Sequence, residues 1–295
     1  MHMTTPEIYC KSGIAANQIQ DRLSRNADGI ELQMMFDNPI ADIKRQWRSE
    51  IKVVHPPLNA MGEGFHLELP FDFPASRPFH YRYLEVFNEL AQREDMMLRY
   101  VLHIKQNRQI LIWNGQYNEL QEQLQIYTDA FQNIIFCLEN TSYDLRQPYA
   151  VTGIVRDAAN SRIQTCIDIC HLQYALWASK LLKGGSEEAE GFEKELSIEE
   201  MFSRNRGQCG LIHLNRCGDD PRWPYGLGKN HGILFRPGSG EDMALLRDIW
   251  DMYQKYGYSC PVTIEVQEDS YDSAVNYTTS RLALQKVMVS SGKQT

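Results

Sequence analysis

Short apolar runs rich in β-branched residues alternate along the chain with longer stretches in which apolar residues recur at helical spacing. The short runs predict strands at Ile8–Lys11, Gly29–Met34, Ile51–Val54, Met97–His103, Ile134–Leu138, Thr165–Ile169, Gly210–Leu214 and Pro261–Val266. The helical period is plainest in Tyr83, Leu84, Phe87, Leu90 and Ala91, in Leu120, Leu124, Tyr127 and Phe131, and in Leu246, Ile249, Trp250 and Tyr253. Strands and helices in this alternation predict repeated βα units around a parallel sheet. Eight strands, none followed by a Gly-x-Gly-x-x-Gly turn, suit an α/β fold of the (β/α)8 TIM-barrel type, a parallel eight-stranded closed sheet, better than an open doubly wound sheet.

Residues 3–290 read as one barrel domain, since no linker divides them. Two stretches break the regular pattern. Residues 186–200 are dense in Glu and poor in apolar side chains, which predicts an acidic, solvated surface insertion between the sixth and seventh strands. Residues 219–240 contain Pro221, Pro224, Pro237 and several Gly, too much punctuation for a helix, and predict a long loop after the seventh strand, on the rim where barrels carry their chemistry.

Composition narrows the class. With 295 residues, 43% hydrophobic and 23% charged, the chain has ordinary globular character, and it lacks the apolar stretch of about 20 residues that a spanning helix needs. A net charge of −8 disfavours a polyanionic partner such as nucleic acid without excluding a local basic patch. The seven cysteines, Cys10, Cys137, Cys166, Cys170, Cys209, Cys217 and Cys260, have no framework spacing and read as reduced thiols. The first residues carry neither the basic nor the apolar segment of a secretory leader, so a cytoplasmic location is expected. A homodimer stays open, because no exposed apolar stripe marks an interface.

The chemistry lies in where the strands end. The third strand runs into His55, the fourth into His103, the fifth into Glu139, the sixth into Asp168 and His171, the seventh into His213 and Asn215, and the eighth into Glu265. In a closed barrel these ends converge on one rim. Apolar strands that each deliver an imidazole or carboxylate there are poorly explained by core packing, because a buried unpaired charge is costly and a coordinated cation removes that cost. Two Glu, an Asp and a His make a mixed hard and borderline donor set that suits Mn, Mg, Co or Zn and not a thiolate site. Cys166 and Cys170 flank Asp168 but read as bystanders, and His66 and His80, away from strand ends, as structural or solvent-exposed.

The Ile-Glu-Leu-Gln of the second strand, Leu-Glu139-Asn140-Thr141, Cys-Ile-Asp168-Ile-Cys-His171, His213-Leu-Asn215, the Gly-containing loop to His231 and the final Glu265 together resemble the xylose isomerase-like barrel superfamily. That superfamily contains sugar and sugar-phosphate isomerases and epimerases, and also endonuclease IV, an apurinic-site nuclease. The resemblance implies a metal held by Glu139, Asp168, His213 and Glu265, with Glu139 and Glu265 exchanging a proton with the carbon next to a carbonyl. It also implies substrate contacts from Arg216, with Asn140 beside Glu139 placed among the substrate-binding residues. In the nuclease branch His55 and His103 would hold a second metal and His171 and His231 a third. Two departures speak against that branch: Lys229 stands where the nuclease has a ligating Asp, and Leu58 where it has a Tyr that meets DNA. Lys229 is instead expected either to bind an anionic substrate group with His231 or to face solvent. Trp113 and Trp223 are expected to line a sugar pocket or anchor their loops. The expected activity is therefore a divalent-metal-dependent isomerase or epimerase of a small carbohydrate-like substrate, with an apurinic-site endonuclease as the alternative.

Overall fold

The computed structural model describes residues 5–34, 40–56, 79–103, 116–140, 149–182, 197–218, 224–225 and 229–291. The chain begins β1 (Ile8–Ser12), α1 (Ala16–Ser24), β2 (Gly29–Gln33), α2 (Ile40–Gln46), β3 (Ile51–His55), α3 (Phe79–Arg93), β4 (Leu98–His103), α4 (Gln116–Ala130) and β5 (Ile134–Glu139). It continues α5 (Ala150–Ala158), β6 (Ile163–Asp168), α6 (Ile169–Leu182), α7 (Ile198–Arg204) and β7 (Cys209–Leu214). Three short strands, β8 (Arg216–Gly218), β9 (Pro224–Tyr225) and β10 (Lys229–Ile233), precede α8 (Gly240–Lys255), β11 (Val262–Ile264) and α9 (Val275–Ser291). The strands β1-β11-β7-β6-β5-β4-β3-β2 close into an all-parallel barrel, β1 pairing with β11 to seal it. This is a (β/α)8 TIM barrel, and each predicted barrel strand is found, with ends shifted by a few residues.

Strand alternation sorts the side chains. In β1, Ile8 and Cys10 point out to the helices, while Tyr9 turns into the barrel. Ile30 and Leu32 of β2 likewise pack outward against the α3 face made by Tyr83, Leu84, Phe87 and Leu90. Burying one such Leu or Phe side chain stabilises by roughly 1.5–3 kcal/mol. Within the barrel, Tyr9, Val53, Val101, Cys137, Cys166 and Leu211 form a dry layer no more than 2% exposed. Gly29 is needed at that level, because a Cβ there would fall 2.7 Å from ring carbons of Tyr9.

The segment after β7 corrects the expectation of a plain loop. Residues 219–240 contain β9 and β10, which join β8 in an antiparallel sheet ordered β8-β10-β9. Gly232, at φ +75, permits the register shift between Asn230 and Ile233, and its carbonyl accepts from Gln267 N at 2.9 Å. The acidic insertion is corrected at its end: residues 198–200 open α7, where Ser197 accepts from Glu200 N at 3.0 Å and Met201 and Phe202 are buried. On α9, Val275, Leu282 and Val289 are more than half exposed at seven-residue intervals, an apolar stripe the sequence reading did not single out. Among the described residues no helix is long and apolar enough to cross a membrane.

Candidate metal centre

Two residues above the dry layer, the strands carry charge. Register places Lys11 beside Glu31 and Asp168 beside His213, so these pairs share the inner face, and it sets the backbone of His103 level with Glu139. The imidazole of His213, fully buried, is the hub. Its Nδ1 lies 2.9 Å from Glu265 Oε2, 3.4 Å from Glu139 Oε2 and 3.8 Å from Asp168 Oδ2. Its Nε2, on the other side of the ring, lies 3.1 Å from Glu31 Oε2. The structure therefore brings Glu139, Asp168, His213 and Glu265 together.

Local structure fixes each group. Asp168 ends β6 and caps α6: its Oδ1 accepts from His171 N at 2.7 Å, the bond of a helix N-cap to the third helical residue. That leaves Oδ2, which accepts from Asn215 Nδ2 at 2.8 Å and faces His213 and His231. Asn215 in turn accepts from Cys170 N at 2.8 Å, so one buried amide ties β7 to the start of α6. Asn140 is a second clamp, accepting from Asp168 N at 2.6 Å and donating to Asp168 O at 3.0 Å. Expected as a substrate contact, Asn140 has its amide directed to the backbone of Asp168.

His171, in the first turn of α6, sets Nε2 at 3.1 Å from Glu139 Oε1, and its ring centroid is 5.1 Å from that of His231. His231 Nε2 lies 3.7 Å from Asp168 Oδ2. His55 places Nδ1 3.0 Å from Glu31 Oε1 and stacks on His213, with centroids 5.5 Å apart. Arg216 is not brought into the cluster: its guanidinium pairs with Asp242 of α8 at 3.2 Å. The side chains of His103 and Lys229, together with Leu58, Trp113 and Trp223, lie outside the described residues.

The electrostatics are those of crowded ions sharing protons and counter-charges. Burial opposes ionisation of Glu265, yet Lys11, hydrogen-bonded to its Oε1, and His213 hold it well below the usual carboxylate range. Burial works against the charged form of His213 too, and the surrounding carboxylates outweigh it, raising that imidazole well above its ordinary value. His171, opposed by burial and favoured by Asp168 and Glu139, is pushed up to about 9. Burial raises the Cys166 thiol well above its ordinary range, which leaves it a neutral neighbour.

The donor set fits a divalent cation. His213 Nδ1 and Glu265 Oε2 are buried and only 2.9 Å apart, yet neither makes a hydrogen bond of good geometry, with the other or with any third group. Orphaned buried donors and acceptors are rare in folded proteins, and a cation among these lone pairs would be their common partner. Among the described residues three groupings have donor spacing suitable for an ion: Glu31, His55, His213 and Glu265; Glu139, Cys166 and His213; and Asp168, His171 and His231.

Sequence reasoning missed Lys11 and Glu31 as site residues and gave Asn215 no role. The signal for the first two lay in strand alternation: Glu31 stands between outward-packed Ile30 and Leu32, and Lys11 follows outward-packed Cys10, so each must face the barrel axis.

No protein-family model matches the chain, and no curated protein matches it either. Solved structures do. A xylose isomerase-like TIM barrel/4-hydroxyphenylpyruvate dioxygenase fusion protein aligns with 96% of the chain at a TM-score of 0.56 and 12% identity, and the chain spans only 42% of that protein's length. The apo form of 3-keto-D-glucoside 4-epimerase from E. coli aligns over 97% of this chain and 100% of its own, with a TM-score of 0.53 and 12% identity. A family 2 AP endonuclease from Brucella melitensis aligns over 95% and 98%, with a TM-score of 0.53 and 12% identity. The chain thus shares the fold of xylose isomerase-like barrels.

Proposed function

We propose that the protein is a divalent-metal-dependent isomerase or epimerase of a cytoplasmic sugar or sugar phosphate, working by proton transfer next to a carbonyl. The observation that carries this reading is the convergence of Glu139, Asp168 and Glu265 on the buried Nδ1 of His213, which makes no hydrogen bond of good geometry. A cation held by those four residues would polarise the substrate carbonyl and stabilise the charge that develops on its oxygen.

The remaining chemistry belongs to the chain. Glu139 and Glu265 are the groups that take the proton and return it. Each has its own basic neighbour, His171 beside Glu139 and Lys11 beside Glu265. Asn140 and Asn215 keep Asp168 oriented by bonding its backbone and one side-chain oxygen. Lys229 and His231, with Trp113 and Trp223, are assigned to the substrate's anionic group and ring.

One observation favours a second reading. Asp168, His171 and His231 form a further grouping with donor spacing, as a multi-zinc phosphodiesterase of the apurinic-site type would need. Lys229, Leu58 and the net charge of −8 weigh against it.

Two measurements decide. Plasma mass spectrometry counts metals per chain, and incubation with ketoses and their phosphates in deuterated water reports exchange at the carbon next to the carbonyl. One ion per chain with deuterium incorporation is expected. Two or three zinc ions, no exchange and cleavage of abasic DNA would replace the first reading by the second.

A further inference from the structure

Glu31 is fully buried on β2, and both of its oxygens are engaged with imidazoles. Oε1 lies 3.0 Å from His55 Nδ1 and Oε2 lies 3.1 Å from His213 Nε2. A carboxylate accepts, so each of these ring nitrogens carries its hydrogen toward Glu31. An imidazole in its neutral form has one protonated nitrogen, and the other then offers a lone pair. For His213 that other nitrogen is Nδ1, the atom facing Glu139, Asp168 and Glu265.

We infer that Glu31 is a positioning residue for the metal centre: it holds His213 as the Nε2-protonated tautomer, so that Nδ1 is the ligating atom, and it ties the stacked ring of His55 to the same carboxylate. The inference rests on the proposed role of His213 as a metal ligand. Lys11 completes the arrangement. Its ammonium bonds Glu265 and lies 3.8 Å from Glu31 Oε1, so it links a proposed ligand to the carboxylate behind the histidine. Glu31 belongs to one of the groupings with donor spacing for an ion, but both of its oxygens already meet imidazole nitrogens, and they meet His213 at Nε2, on the side of the ring opposite the carboxylate cluster, so the inference makes it the outer partner of His213 and not a ligand. Outer carboxylates of this kind fix ring orientation and raise ligand basicity, and losing one typically weakens metal affinity about 10- to 100-fold.

The test uses the full chain loaded with zinc and labelled with nitrogen-15 in its histidine rings. Long-range proton–nitrogen spectra, with His213→Gln to assign the signal, should show His213 protonated at Nε2 and ligating through Nδ1. This reading needs no substitution at Glu31 and survives even if such a variant fails to fold. Competition with a chromophoric chelator should then show Glu31→Gln binding zinc about 10- to 100-fold more weakly than the native chain, at unchanged stoichiometry. Ligation of His213 through Nε2, unaltered affinity in Glu31→Gln, or loss of a whole equivalent of zinc in that variant would each overturn the positioning role while leaving the metal centre standing. Failure of the native chain to take up any divalent ion would overturn both.

Discussion

Two levels of the same barrel interior, two residues apart on each strand, are built from opposite chemistry. The lower level is Tyr9, Val53, Val101, Cys137, Cys166 and Leu211, dry and close-packed. The upper level is Lys11, Glu31, His55, Glu139, Asp168, His213 and Glu265, which carries ionisable groups almost as deeply buried. The backbone pairing beneath both levels is the same parallel ladder, so the fold does not dictate the difference. Apolar side chains at the lower level gain from leaving water, whereas the upper level concentrates four carboxylates at a cost that only partners can offset. Stability and chemistry are thereby separated by one strand repeat.

Substitutions at each level should break this comparison in different currencies. The largest expected effect is on turnover: Glu139→Gln or Glu265→Gln should lower deuterium exchange into substrate by about 10²- to 10⁴-fold, with the far-ultraviolet circular dichroism unchanged. Full activity in either variant would remove the two-carboxylate mechanism. Below it, Leu211→Ala should cost about 2–5 kcal/mol of unfolding free energy through a cavity, read by denaturant titration, while metal affinity stays within a few-fold of the native value. A large loss of metal affinity there would show that the two levels are not independent.

The smallest effect concerns protons. His171, raised to about 9 in the metal-free chain, contributes stability that is fully present below its ordinary value near 6.5 and is lost as pH rises through 9. The thermal midpoint of chelator-treated protein should therefore fall by a few degrees between those two values, as followed by calorimetry. A midpoint that is flat or rising across that window would show that the Glu139–His171 pair is not charged in the folded state.

Much of this arrangement was legible in the sequence because barrel strands advertise themselves as apolar runs, and because a His or Glu at the end of such a run is conspicuous. Glu139, Asp168, His213 and Glu265 were readable for that reason. Glu31 was not: it sits inside β2 with Leu32 and Gln33 after it, so a search of strand ends passes over it, and only the inward parity of alternate residues reveals its place. Lys11 was hidden because a lysine near a strand end ordinarily reads as a solvent-facing residue. The strands β9 and β10 were obscured by Pro and Gly that interrupt any periodic pattern, the sheet being set by the pairing of β10 with β8 and β9 rather than by local propensity. Arg216 looked like a substrate contact from its position after His213, and only packing could show its guanidinium drawn to Asp242.

The dry layer beneath the carboxylates also makes the barrel a vessel with a sealed floor. On the proposed function, a substrate for Glu139 and Glu265 would have to arrive from the end where the strands finish and leave by the same end. Reactant and product would then contend for the same place, and accumulated product should inhibit competitively.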